Sequence, residues 1–156
     1  MPSPFVAVGT PEAEQTDIEN GSWWPAVSPT TARDLMKLDG TVTDGRLRAA
    51  IITGMGEANW QLKAWRDAQV EAGYSSLAAV PADTIDGTSL KVTQYHRAVI
   101  CIAAATLIER YRSIDTSRQG IATAGILEEP IDDLRRDAHW ALNDIRGNPR
   151  STIELI

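Results

Sequence analysis

The chain is short of cysteine, of basic charge and of long apolar runs, and each shortage removes a class of protein. A single cysteine, Cys101, among 156 residues excludes an internal disulfide framework and suits a reducing cytoplasm. Fifteen Lys and Arg stand against 21 Asp and Glu, for a formal net charge of −6, so the basic excess that grips a nucleic-acid backbone is missing. The apolar segment Ala98 to Ile108 holds no charged residue, but it falls well short of the roughly 18–20 residues needed to span a bilayer. The start, MPSPFVAVGTPEAEQ, lacks the basic opening and apolar run of a secretory signal. The expectation is a soluble intracellular chain, or a particle component assembled inside a cell, with no membrane partner.

Catalytic signatures are missing as well. A di-iron bundle requires Glu-x-x-His pairs, whereas Thr93 and Arg136 stand three residues before His96 and His139. Gly54-Met55-Gly56 has neither the third glycine nor the preceding strand of a dinucleotide loop. A calcium loop read from Asp39 fails at its sixth position, Asp44, and its twelfth, Ala50. Cys101 has no nearby helix N-terminus or cation to activate it, and Asp132 and Asp133 diverge on a helix as a solvated face. No enzyme, metal or cofactor is expected.

What is present is helical periodicity. At 156 residues the size prior is one domain, divided here into an extended N-terminal arm (1–28), a helical bundle (29–147) and a tail (148–156). The arm holds Glu12, Glu14, Asp17 and Glu19 and no Lys or Arg. It ends in Trp23-Trp24-Pro25, which either tucks back onto the chain's own bundle or binds another subunit, Trp being enriched at interface hot spots. Ser28-Pro29 predicts a helix start, with Ala32, Leu35 and Met36 facing inward and Asp39-Gly40 as the stop. A second helix is predicted from Thr43-Asp44 to Ala72, with Leu47, Ile51, Met55, Ala58, Leu62, Trp65 and Ala68 on one face and Gly73 ending it. Its Gly54 and Gly56 are expected to admit Ala103, Ala104 and Ala105 closely.

Residues 73–88 read as a connection with turns at Pro81 and Asp86-Gly87, pinned by Leu77, Val80 and Ile85. Thr88 or Ser89 then caps the central helix, Ser89 to Ser113, which is apolar on all sides in its middle and so belongs inside a bundle. Residues 114–127 read as a second loop. The last helix, from about Pro130 to Arg146, presents Ile131, Leu134, Ala138, Ala141, Leu142 and Ile145 on one stripe. The tail RSTIELI alternates as a strand does, and no other convincing strand accompanies it. Thr152, Ile153, Glu154, Leu155 and Ile156 are thus candidates to pair with a partner's sheet edge. From the residues alone the reading is an all-α interaction protein, with a regulatory module or a small helical-bundle enzyme as alternatives.

From Arg46 to Arg150 separated blocks occur in a telling order: Arg46-Leu47-Arg48 with Ile51, Gly54 and Met55; Leu77 with Val80-Pro81-Ala82-Asp83 and Ile85-Asp86-Gly87; Tyr95 with Arg97-Ala98-Val99; Glu109-Arg110-Tyr111-Arg112; and Ile131-Asp132, Leu134, Arg136-Asp137, Trp140-Ala141 and Pro149-Arg150. In these blocks the sequence resembles the head completion (gpL-like) proteins of contractile-tailed temperate phages. The resemblance implies a four-helix-bundle-like connector adaptor with an N-terminal arm and a short C-terminal β-strand, located in the virion and assembled in the host cytoplasm. It implies a dodecameric ring of neighbouring copies on the portal protein after DNA packaging. The ring would meet a tail completion (terminator) protein and pass genomic dsDNA without reading it. Candidate partner-binding residues are Trp23, Trp24, Arg110, Arg112, Asp132, Arg135, Arg136 and the tail 152–156, with Arg135 and Arg136 of one subunit expected opposite Asp132 of the next.

Overall fold

Ser28 turns the chain into α1 (Pro29–Leu35). Its backbone is extended, its Oγ accepts the Thr31 N–H at 3.2 Å, and Pro29 occupies the first turn, where its missing N–H is not needed. These observations come from a computed structural model, in which the described residues are 15–38, 40, 42–114 (backbone only for 111–114) and 131–148. The helix stops a turn before the expected Asp39-Gly40. Lys37 adopts φ 52°, its N–H donates to the Asp34 carbonyl, and the Leu38 N–H donates to the Arg33 carbonyl, which is a Schellman closure. Leu35, expected to face inward, is 64% exposed. Ala32 is buried and Met36 packs against the core as expected, and Pro29 and Arg33 complete the inner face, the Arg33 guanidinium donating to the Val42 carbonyl (3.0 Å) and to Asp44 (2.7 Å).

The single rod expected from Asp44 to Ala72 is two helices. Thr43 caps α2 (Asp44–Gln61), accepting the Arg46 N–H, and Leu62 (φ −92°, ψ 0°) separates it from α3 (Lys63–Glu71). Leu47, Ile51, Met55, Ala58 and Leu62 are buried as predicted, whereas α3 buries no residue fully and Ala68 is exposed. Full burial therefore ends at Leu62, beyond which the predicted Trp65 still packs half-buried against the core. Gly73 (φ 95°) closes α3 as expected, with its own N–H and that of Tyr74 satisfying the Val70 and Gln69 carbonyls.

The connection that follows holds a feature the sequence reading lacked. After a 3-10 turn at Leu77–Ala79, β1 (Thr84–Ile85) and β2 (Thr88–Ser89) pair antiparallel, Thr84 with Ser89 and Ile85 with Thr88. Asp86 (φ 49°) and Gly87 (φ 71°) supply the two left-handed residues of a tight hairpin turn. Leu77 and Val80 are buried, but Ile85 is 63% exposed, not pinned. Strands of two residues are too short to show a period of two.

The helix α4 (Leu90–Ile114) is the centre of the structure, packed against α2 along one side and against α5 (Ile131–Arg146) along another. Tyr95, Ala98, Val99, Ile102 to Ala105, Leu107 and Ile108 are buried on it. Gly54 makes the α2 contact close: a Cβ there would lie 2.7 Å from the Val99 carbonyl oxygen and 3.4 Å from the Ala103 N. Gly56 plays no such part, since nothing lies within 4 Å of its Cβ position.

On α5, Leu134, Ala138, Ala141, Leu142 and Ile145 bury one stripe as the periodicity predicts. The Lys91 ammonium donates to the Ile145 carbonyl at 2.8 Å, and Arg146 donates to the Gln61 carbonyl, so the end of α5 is tied to both neighbouring helices. Ser89 precedes α4, but its hydroxyl is buried without a hydrogen-bond partner, so it is not the expected cap. The described residues are thus mostly helical with one small two-stranded ladder.

Candidate interaction surfaces

Within the expected N-terminal arm, residues 15–28 pack back onto the bundle. Ile18 and Val27 exchange backbone hydrogen bonds (2.8 and 3.0 Å), closing a loop that delivers Ile18, Trp23 and Val27 into the core. Trp23 is only 5% exposed. Its Nε1 donates to the Tyr74 carbonyl at 3.0 Å, its own carbonyl accepts the Leu77 N–H, and its ring meets Trp24 and Trp65 edge-on. Trp24 stacks on Tyr95 at 5.1 Å between centroids. Of the two readings of this pair, the structure gives the one in which it tucks onto its own bundle. Trp23 therefore offers no surface to a partner. Residues 1–14 lie outside the described residues.

A closed polar triangle locks the loop in place. The Tyr95 hydroxyl donates to Asn59 Oδ1 (2.6 Å), Asn59 Nδ2 donates to Asn20 Oδ1 (2.8 Å), and Asn20 Nδ2 donates to the Tyr95 oxygen (2.6 Å). Each group both gives and receives, which meets the demand of buried polar atoms. Burial pushes the Tyr95 hydroxyl well above the usual phenol range, with the Asn20 hydrogen bond opposing the shift. Burial likewise lowers the pKa of Lys91. Neither group forms part of a reactive cluster. Among the described residues no group of His, Cys, Asp and Glu is placed to hold a metal, and no helix is long and apolar enough to cross a membrane.

The locked loop forms one wall of a groove of about 650 Å³, with α1 and α4 as the others. Leu35, Thr93, Ile100 and Cys101 line it, and Asp17 and Arg97 are among its charged residues. His96 also lines it and bonds the Ala26 carbonyl through Nε2 at 2.9 Å. A second feature lies on the outer side of α2. Gly45, Ala49, Ile52, Thr53, Gly56 and Trp60 are all exposed there without a charge among them, Ile52 by 52% and Trp60 by 77%. An outward helix face normally carries the polar residues, and α5 obeys that rule where α2 does not.

The predicted charges on α5 find partners within the chain. Arg135 pairs with Glu109 at 2.5 Å, and Arg136 with Asp133 at 2.5 Å while lying over the Trp140 ring. Arg97 on α4 pairs with Asp137 at 3.1 Å. Asp132 and Arg110 are exposed. The Arg112 side chain and the tail residues Thr152, Ile153, Glu154, Leu155 and Ile156 lie outside the described residues. Sequence reasoning missed the groove, whose walls come from two stretches far apart in the chain, residues 17–35 and 88–101. It also passed over the uncharged face of α2, which spacing alone discloses.

Comparison with known proteins places these surfaces in context. A sequence model of the phage head completion protein (GPL) family matches residues 18–156. The chain belongs to this family. A head completion/stabilization protein of Escherichia phage P2 is 42% identical over 151 residues, covering 97% of this chain and 89% of the relative. No solved structure matches. Head completion is a structural role in virion assembly, and a member of this family is a component of a bacteriophage particle. The match begins at Ile18, where the described loop enters the core.

Proposed function

We propose that this chain is the ring-forming adaptor that closes the filled head and prepares it for the tail. In this reading it is a four-helix-bundle-like connector subunit that assembles as a dodecamer on the portal protein after packaging, then receives the tail completion protein. The observation that carries the reading is the family match from residue 18 to residue 156. It is supported by the large apolar side chains that a single subunit leaves in water, Trp60, Leu35, Ile85 and Ile52 among them, since exposed apolar patches mark interaction sites. Genomic dsDNA passes through the ring unread, which a chain of net charge −6 suits. The tail Thr152 to Ile156 adds a strand to a partner's sheet.

Mixing the purified chain with purified portal tests the reading by native mass spectrometry and electron microscopy. Rings of this chain captured on the portal are expected. A permanent monomer that ignores the portal under assembly conditions overturns it. Deleting residues 151–156 should leave a folded helical subunit that no longer yields infectious particles; infectious particles from the truncated chain would remove the strand from the account.

A further inference from the structure

We infer that neighbouring subunits meet head to tail, with the Ile52–Trp60 face of α2 on one copy seated in the groove between α1 and α4 of the next. The inference rests on the ring reading above and names the two faces the ring would use. The α2 face projects two large apolar side chains, and the groove is an apolar recess of about 650 Å³ floored by Ile100 and bordered by Leu35. An aromatic side chain gains most where it fills such a recess.

Gly56 fits the same arrangement. A glycine inside a helix costs about 1 kcal/mol against alanine, and this one serves no contact in its own chain. With Ala49 and Thr53 beside it, the α2 surface stays low between Ile52 and Trp60, so a neighbouring backbone can come close. The exposed Arg46 at the edge of the α2 face is opposite in sign to the exposed Asp17 at the edge of the groove, whose Arg97 already pairs with Asp137. The groove opens on the Thr93 and Ile100 side of α4, whereas α2 covers the Val99 and Ala103 side. Two different faces on different sides of one subunit make a heterologous contact, the kind that closes rings. Pairing α2 with α2 about a two-fold axis would leave the groove empty and stop at a dimer.

The test is cysteine cross-linking in particles. A chain carrying Thr31→Cys, Thr53→Cys and Cys101→Ala, which keeps Leu35, Ile52 and Trp60, is supplied from a plasmid in cells producing the wild-type phage. Purified particles are then treated with a short bismaleimide. Both introduced sites are exposed, Thr31 at the groove and Thr53 on the α2 face, and an unchanged melting temperature of the purified variant verifies the fold. Covalent multimers that require both introduced cysteines are expected. Incorporation of the variant without such multimers overturns the inference, as do dimers formed by Thr53→Cys alone, which would mean a two-fold contact. A general amine cross-linker on wild-type particles separates the two levels. A ladder of this chain there, with no cysteine-dependent product, removes the proposed faces and keeps the ring, whereas no ladder removes the ring itself.

Discussion

Replacing Gly54 by alanine sets two effects of similar size against each other, and the structure says which wins. An alanine in a helix interior is worth about 1 kcal/mol over glycine. At position 54 the new Cβ would sit 2.7 Å from the Val99 carbonyl oxygen and 3.4 Å from the Ala103 N and Val99 Cγ1. Ordinary carbon–oxygen contacts lie at about 3.3–3.6 Å, so α2 and α4 must separate by roughly half an ångström or more. The atom in the way is backbone in the middle of α4, with no rotamer to yield. Overpacking of this kind costs about 1–3 kcal/mol, leaving Gly54→Ala a net loss of up to about 2 kcal/mol and Gly54→Leu a larger one. For a chain of this size, about 1 kcal/mol shifts the melting temperature by roughly 2–4 °C. Gly56→Ala is the matched control. Nothing lies within 4 Å of its Cβ, so the propensity gain stands alone and the melting temperature of the free subunit should rise by a few degrees. Thermal unfolding of the two variants beside wild type decides the matter. A Gly54→Ala protein as stable as Gly56→Ala would refute the close approach of α2 to α4.

Other outcomes follow from the locked loop and the surface pairs. Trp23→Ala should cost about 3–5 kcal/mol, the range for removing a large buried aromatic. Trp24→Ala should cost less, and equal losses in denaturant titrations would contradict the difference in burial. The Tyr95 hydroxyl, held protonated in the fold, stabilises the native state below the ordinary tyrosine pKa of about 10. Above that pH the unfolded chain ionises while the folded one does not, so stability is lost as pH rises. Lys91 acts in the opposite sense, because its lowered folded pKa adds stability as pH rises toward its unfolded value. The difference between wild type and Tyr95→Phe, measured by denaturation from about pH 8 to about 11, isolates the tyrosine. It should shrink with rising pH, and a constant difference would contradict the buried triangle. Arg135→Ala breaks only an exposed pair with Glu109 and should change stability by about 0–1 kcal/mol.

The helices were legible because their burial repeats locally. The stripe Leu134, Ala138, Ala141, Leu142 and Ile145 is spaced at three and four, and burial follows it. Gly73 carries a positive φ that few other residues adopt. Residues 15–28 were illegible for the opposite reason. Asn20 finds Tyr95 and Asn59, and Trp23 finds Tyr74, across 39 to 75 residues of chain. No local pattern marks such contacts, and the loop's Pro25, Gly21 and acids imitate an unstructured arm. The break at Leu62 has no glycine or proline to announce it, and Leu35 is exposed because Lys37 turns the chain a residue pair beyond it. The groove depends on the loop and on the exposed Leu35 together, as its walls include the loop, α1 and α4. The α2 face, by contrast, was open to the same periodicity argument applied to the outward side.

Cryo-electron microscopy of purified particles at the head–tail junction tests the central claim most directly. The account predicts a ring of helical subunits beneath the portal, each with α4 between α2 and α5 and each joined to the next through the outer face of α2. Particles whose junction holds no such ring, with this chain absent or bound elsewhere in the head, would contradict it.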